Sequence, residues 1–125
     1  MTPHFILYVR DQAASAAFYR KVLGREPRLD VPGMTEFELD GAVLGIMPEA
    51  GIRRLLPGGL PETSAGLRSE LYVVVDDPAA FHQRALESGA RELSPLAERD
   101  WGHVAAYSLD ADGHVVAFAR AELER

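Results

Sequence analysis

The feature that most constrains this chain is a repeated unit in which an alternating strand runs straight into a capped helix. The first copy reads His4-Phe5-Ile6-Leu7-Tyr8-Val9-Arg10-Asp11-Gln12-Ala13-Ala14 and closes at Gly24. The second reads Glu70-Leu71-Tyr72-Val73-Val74-Val75-Asp76-Asp77-Pro78-Ala79-Ala80 and closes at Gly89. An offset of 66 residues sets Glu70 on His4, Val75 on Val9, Asp77 on Asp11 and the later alanine pair on the earlier one. A further pair, Asp40-Gly41 leading into Ala42 to Met47 and Asp112-Gly113 leading into His114 to Ala119, repeats at an offset of 72. Asp-Gly between alternating segments favours a hairpin, because glycine reaches positive φ without steric cost. Each half is therefore predicted as βαβββ, and the chain as an α+β protein of two tandem modules.

Alternation over residues 4–10 puts His4, Ile6 and Tyr8 on one face of a strand and Phe5, Leu7 and Val9 on the other. Asp11 is the expected N-cap of a helix over 12–23, with Ala14, Phe18 and Val22 as its apolar stripe and Gly24 as its left-handed C-terminal residue. A short strand at Arg28 to Val31 precedes a hairpin of residues 35–39 and 42–47. The second half predicts a strand at 71–75, then a helix over 78–88 that buries Phe81, Ala85 and Leu86, with Asp77 as N-cap and Pro78 at its first position. A short strand at Arg91 to Leu93, a loop bearing Trp101-Gly102 and a hairpin of 103–109 with 114–120 complete it. The modules are read as residues 1–56 and 70–125 with a Gly/Pro-rich linker at 57–69, and the whole stretch from Pro48 to Ser69 as an irregular inter-module connection that could serve as a lid.

The 125 residues suit one domain with a true core. Cysteine is absent, which excludes disulfides, thiolate nucleophiles and cysteine metal sites. A net charge of −6 without a basic stripe argues against nucleic acid as a partner. No apolar run approaches the roughly 20 residues that span a bilayer, and the N-terminus lacks a signal-peptide pattern, so no membrane partner and a cytoplasmic location are expected. A small molecule or a second copy of the chain is the partner these features favour.

The strand with its Asp-capped helix ending in Phe18-Tyr19 and Val22-Leu23-Gly24, together with the turn Asp110-Ala111-Asp112-Gly113-His114, resembles the vicinal oxygen chelate superfamily. That is the glyoxalase, bleomycin-resistance and extradiol-dioxygenase group, and the resemblance spans nearly the whole chain. It implies a cupped sheet formed jointly by the modules. In the group's metal enzymes it implies ligands at the start of the first strand and the middle of the last strand of each module. Those positions fall here on His4 and Glu70, and on Gly45 and Ala117. The last two cannot coordinate, and a one-residue slip brings only Leu44 or Ile46 and Val116 or Phe118. A catalytic divalent metal typically takes three protein ligands.

The resemblance thus points to the bleomycin-resistance-like branch, without the full metal site and without a cofactor. On this reading an apolar or aromatic ligand is sequestered in the cup by His4, Tyr8, Met47, Glu70, Tyr72, Trp101 and His103, with Tyr72 and Trp101 stacking on a planar molecule. Replacing two carboxylates by Gly45 and Ala117 would also empty space at the centre of the cup. The alternative is a lyase or dioxygenase of the glyoxalase type, its divalent metal held by His4, Glu70 and a loop ligand such as His103, Glu49 or Glu98. His4 and Glu70 also admit an acid–base role, or a plain hydrogen bond. The aromatic residues equally admit a core or dimer contact. His114, after its Asp-Gly turn, is expected to be solvated, and Arg53 and Arg54 either guide an anionic group or are merely solvated. Asp76, Asp77, Glu122 and Glu124 are assigned to capping and solubility. A homodimer is implied, with modules exchanged between chains as one option and residues 57–61 as the hinge.

Overall fold

β1 (His4–Val9) passes into α1 (Gln12–Leu23) through Asp11, whose carboxylate accepts from the Ala14 backbone N–H at 3.0 Å. Gly24 ends the helix at φ 68°, the conformation a side chain would disfavour. β2 (Leu29–Val31), β3 (Met34–Glu38), β4 (Val43–Pro48) and α2 (Glu49–Leu55) follow. The strands assemble in the order β1-β4-β3-β2, with β1 and β4 parallel and the other pairs antiparallel. β5 (Glu70–Val74), α3 (Pro78–Glu87), β6 (Arg91–Glu98), β7 (His103–Leu109) and β8 (Val115–Ala121) make the second half, in the order β5-β8-β7-β6. This computed structural model describes residues 1–58, 62 and 68–122, and the chain divides into two units, Met1–Thr63 and Ser64–Arg125.

The duplication extends to strand register. Ile6 pairs with Gly45, which pairs with Glu36; in the second unit Tyr72 pairs with Ala117, which pairs with Tyr107. His4 sits opposite Val43 as Glu70 sits opposite Val115. Asp77 repeats the cap of Asp11, accepting from Ala80 N–H at 3.2 Å. Each half is thus a βαβββ module in an α+β fold, as the repeat predicts. Among the described residues no helix is long and apolar enough to cross a membrane.

In each unit one sheet face is buried against a helix. The first core joins Leu7, Val9, Phe37, Leu44 and Ile46 of the sheet to Tyr19, Val22 and Leu23 of α1. Each such side chain is worth about 1.5–3 kcal/mol when fully buried. In the second, Val116 and Phe118 lie on the helix side of the sheet, and Phe81 of α3 packs on Phe118 with ring centroids 5.2 Å apart.

Several local expectations are corrected. The α1 stripe runs through Ser15, Tyr19 and Val22, whereas Ala14 is exposed and Phe18 half-buried, its ring edge-on to Tyr19. The helix is turned by one residue, so that Tyr19 is fully buried where the stripe placed Phe18. In α3 the buried residues are Pro78, His82 and Ala85, while Phe81 and Leu86 are half-buried. His82 enters the interior because Glu92 takes its Nε2 at 2.9 Å. The stretch after Pro48 is not all connection: α2 forms without a side-chain cap, held by burial of Ile52, and carries Arg53 and Arg54 in its last turn. β6 reaches Glu98, well past Leu93, because a register shift around Ser94 absorbs Pro95 and pairing resumes at Ala97. His114 is 3% exposed and not solvated: its ring Nδ1 meets Ser69 Oγ at 2.5 Å, and its backbone N–H donates to Asp110 Oδ1 at 2.8 Å. The hinge read at 57–61 falls largely outside the described residues, as does Glu124.

Candidate functional site

The faces opposite the helices carry the candidate residues. In the first unit strand alternation puts His4, Ile6 and Tyr8 of β1 on one face with Val43, Gly45 and Met47 of β4, and Tyr8 is in register with Met47. Tyr8 is 40% exposed and Met47 half-buried, so both keep apolar surface open on that face.

The space left by glycine at position 45 is not empty. A Cβ built there would stand 2.5 Å from Ile6 Cδ1 and 3.3 Å from Met34 Sδ, so neighbouring side chains have closed over it. Beside it Glu36, a residue sequence reading passed over, accepts from Arg28 Nε at 2.9 Å and turns its other oxygen toward His4 Nδ1, 3.8 Å away. The Glu36 side chain is only 14% exposed. Its signal lay in register: the alternation Thr35-Glu36-Phe37 marks it as facing away from the core, but only the β3–β4 pairing sets it next to Gly45.

In the second unit three of the sequence-derived candidates come together. Trp101 Nε1–H donates to Tyr72 Oη at 2.9 Å, and the same oxygen lies 2.7 Å from His103 Nδ1. The Tyr72 and His103 rings stack, with centroids 5.8 Å apart and planes 22° from parallel. Ala105, Ala117 and Ala119 share this sheet face and are buried, and their small size leaves room for Tyr72 to lie across the strands. Trp101 itself is 56% exposed. Glu70 opens β5 on the same face, exposed to solvent.

The loop that presents Trp101 is tied at both ends. Arg99 N–H donates to His103 O at 2.8 Å, and Glu122 N–H to Gly102 O at 2.8 Å. The Arg99 guanidinium donates to Ala105 O, Ser94 Oγ and Pro95 O, and lies 5.1 Å from the centre of the Tyr107 ring. Burial pushes the Tyr107 phenol above its ordinary pKa, the charges of Glu70 and Tyr72 add to this, and Arg99 opposes it. Arg99 has no sequence motif of its own; its role becomes visible only once β6 and β7 are paired.

A concavity of about 690 Å³ lies elsewhere on the first unit, between α1 and β2, and none of the candidates lines it. Three of its polar side chains, Asp11, Gln12 and Asp30, are committed to the fold. Gln12 donates to Val31 O and Thr35 Oγ1 and accepts from Gly33 N–H, Asp11 caps α1, and Asp30 accepts from Thr35 Oγ1.

Two of the four positions where the resembled superfamily's metal enzymes hold ligands carry no coordinating side chain here. Gly45 is closed over by Ile6, and Ala117 is buried in register between Tyr72 and Tyr107. Within each unit no three histidine or carboxylate side chains gather as a donor set among the described residues.

A family model described as Glyoxalase/Bleomycin resistance protein/Dioxygenase superfamily matches residues 2–118. Among solved structures, a glyoxalase-related enzyme from Fulvimarina pelagi is similar with a TM-score of 0.82 and 22% identity, over 96% of this chain and 87% of that one. A glyoxalase/bleomycin resistance protein/dioxygenase family enzyme from Burkholderia phytofirmans gives 0.83 and 21%, over 94% and 96%. A glyoxalase/bleomycin resistance protein/dioxygenase from Nocardioides gives 0.76 and 23%, over 98% and 84%. At such identities these likenesses establish the fold alone. No curated protein matches the sequence.

Proposed function

The chain belongs to the glyoxalase/bleomycin resistance protein/dioxygenase superfamily, and from that premise we propose a metal-independent small-molecule-binding protein for a flat apolar or aromatic ligand. The observation that carries this reading is the Trp101–Tyr72–His103 cluster, a preorganised aromatic surface with polar tips that joins a pinned loop to two strands. Small-ligand sites are lined mainly by apolar and aromatic side chains with a few fixed polar groups. Stacking on Trp101 and Tyr72 supplies the affinity, and because cluster and loop are already ordered, little conformational freedom is lost on binding. Tyr8 and Met47 add apolar contact area, with His4 and Glu70 as hydrogen-bonding groups.

The binder works as a homodimer in the cytoplasm and needs no cofactor. The donor set supports the last point: Gly45 and Ala117 offer no ligand atom, and Arg28 already pairs with Glu36, the carboxylate beside His4. The test is calorimetric titration of tag-free protein with Ni²⁺, Zn²⁺, Mn²⁺ and Fe²⁺, alongside His4→Ala. Heats at background in both proteins are expected. Near-stoichiometric binding that disappears in His4→Ala would return the protein to the metal enzymes of its family.

A further inference from the structure

Resting on the flat-ligand reading above, we propose that His103 is the specificity-determining residue of the second unit, selecting aromatic ligands that carry an oxygen acceptor beside the ring. The argument is one of donor polarity along the chain Trp101, Tyr72, His103. Indole N–H can only donate, so Trp101 fixes Tyr72 Oη as an acceptor at 2.9 Å. A phenol carries one hydrogen, and His103 Nδ1, 2.7 Å away, is the acceptor in position to take it. The reverse polarity, with Nδ1–H donating, would load the phenol oxygen with two incoming bonds and leave its hydrogen without an acceptor among the described residues. All three groups are satisfied only when His103 carries its proton on Nε2. The tautomer is thus assigned from the network.

Among the described residues nothing else bonds the His103 ring. The chain therefore ends in an Nε2–H donor on a half-buried imidazole whose plane is held 22° from that of Tyr72. A ring that stacks on Trp101 and bears a carbonyl, carboxylate or phenolate oxygen can accept this hydrogen. A hydrocarbon of the same shape leaves the donor unmatched. A site built around a fixed donor rejects a ligand that lacks the acceptor, because the polar group loses water and gains nothing.

Two measurements test this with the intact protein. Nitrogen-15 spectra of histidine-labelled protein should show His103 protonated at Nε2 and bare at Nδ1, and Tyr72→Phe should weaken that preference to the modest one of a free neutral imidazole. Equilibrium dialysis then compares two neutral, isosteric probes, 2-acetylnaphthalene and 2-isopropenylnaphthalene. The ketone is expected to bind about tenfold tighter to wild type, the ratio one good hydrogen bond supplies. His103→Phe should bring the ratio to about one, whatever it does to the affinity the two probes share, and His103→Gln, which keeps a donor, should restore part of it. Equal binding of both probes to wild type, or a ratio unchanged in His103→Phe, would overturn the selectivity while leaving the flat-ligand reading standing. Binding of neither probe would overturn both.

Discussion

Ile6 lies over Gly45: its Cδ1 is 2.5 Å from the point where a Cβ on that glycine would stand. The two residues are register partners on adjacent parallel strands, so the contact follows from the backbone pairing. Where the family's metal enzymes are expected to carry a coordinating side chain, this chain has glycine and uses the room for apolar packing. Within the first unit the room beside Gly45 is therefore filled.

Gly45→Ala should consequently cost stability. Ile6 must leave its rotamer and Met34 must give way, at about 0.5–1.5 kcal/mol. Gly45→Glu, which restores a carboxylate, should cost about 1–3 kcal/mol by overpacking. Adding Ile6→Val, which deletes the offending carbon, should return most of the alanine variant's loss. Urea unfolding of the single and double variants checks this; an alanine variant as stable as wild type, with no gain from Ile6→Val, would contradict the packing.

Tyr107 makes the fold sensitive to alkali. Burial raises its folded pKa above the ordinary value of 10.0, so in the unfolded chain the phenol ionises first. The folded state then holds the extra proton, and stability present below pH 10.0 falls as pH rises toward the folded pKa. Unfolding measured between neutral pH and strong alkali should fall less steeply in Tyr107→Phe than in wild type. Parallel curves would contradict the assignment.

Asp110 closes the last hairpin. One carboxylate oxygen accepts from Asp112 N–H at 2.9 Å and His114 N–H at 2.8 Å, and the residue is buried. Asp110→Ala strands these donors and should lose about 1–3 kcal/mol. Asp110→Asn keeps an acceptor and should lose less, which thermal melts of the two variants will rank.

The repeat was legible because its parts are local. Strand alternation, Asp caps and Asp-Gly turns act over a few residues, and all recur at the same places in both units. What escaped depends on partners distant in sequence. His114 follows a turn and reads as solvated, yet Ser69, 45 residues away, takes its ring. Glu36 is one of several acids in an alternating strand until β3–β4 pairing sets it beside Gly45 and near His4. β6 continued past a proline because a bulge could absorb it. Of the candidate site, Tyr72, Trp101 and His103 were each named from residue type and face. Their hydrogen-bonded chain was not, since it needs side-chain directions that alternation does not supply.

The most direct test of the account is equilibrium binding of planar aromatic compounds to protein stripped with EDTA, followed by quenching of Trp101, the only tryptophan in the chain. The account predicts saturable quenching that is unchanged when Mn²⁺, Ni²⁺ or Zn²⁺ is restored, and that weakens at least severalfold in Tyr72→Phe/His103→Phe as the cluster loses its hydrogen bonds. Quenching that develops only after metal is restored would contradict it.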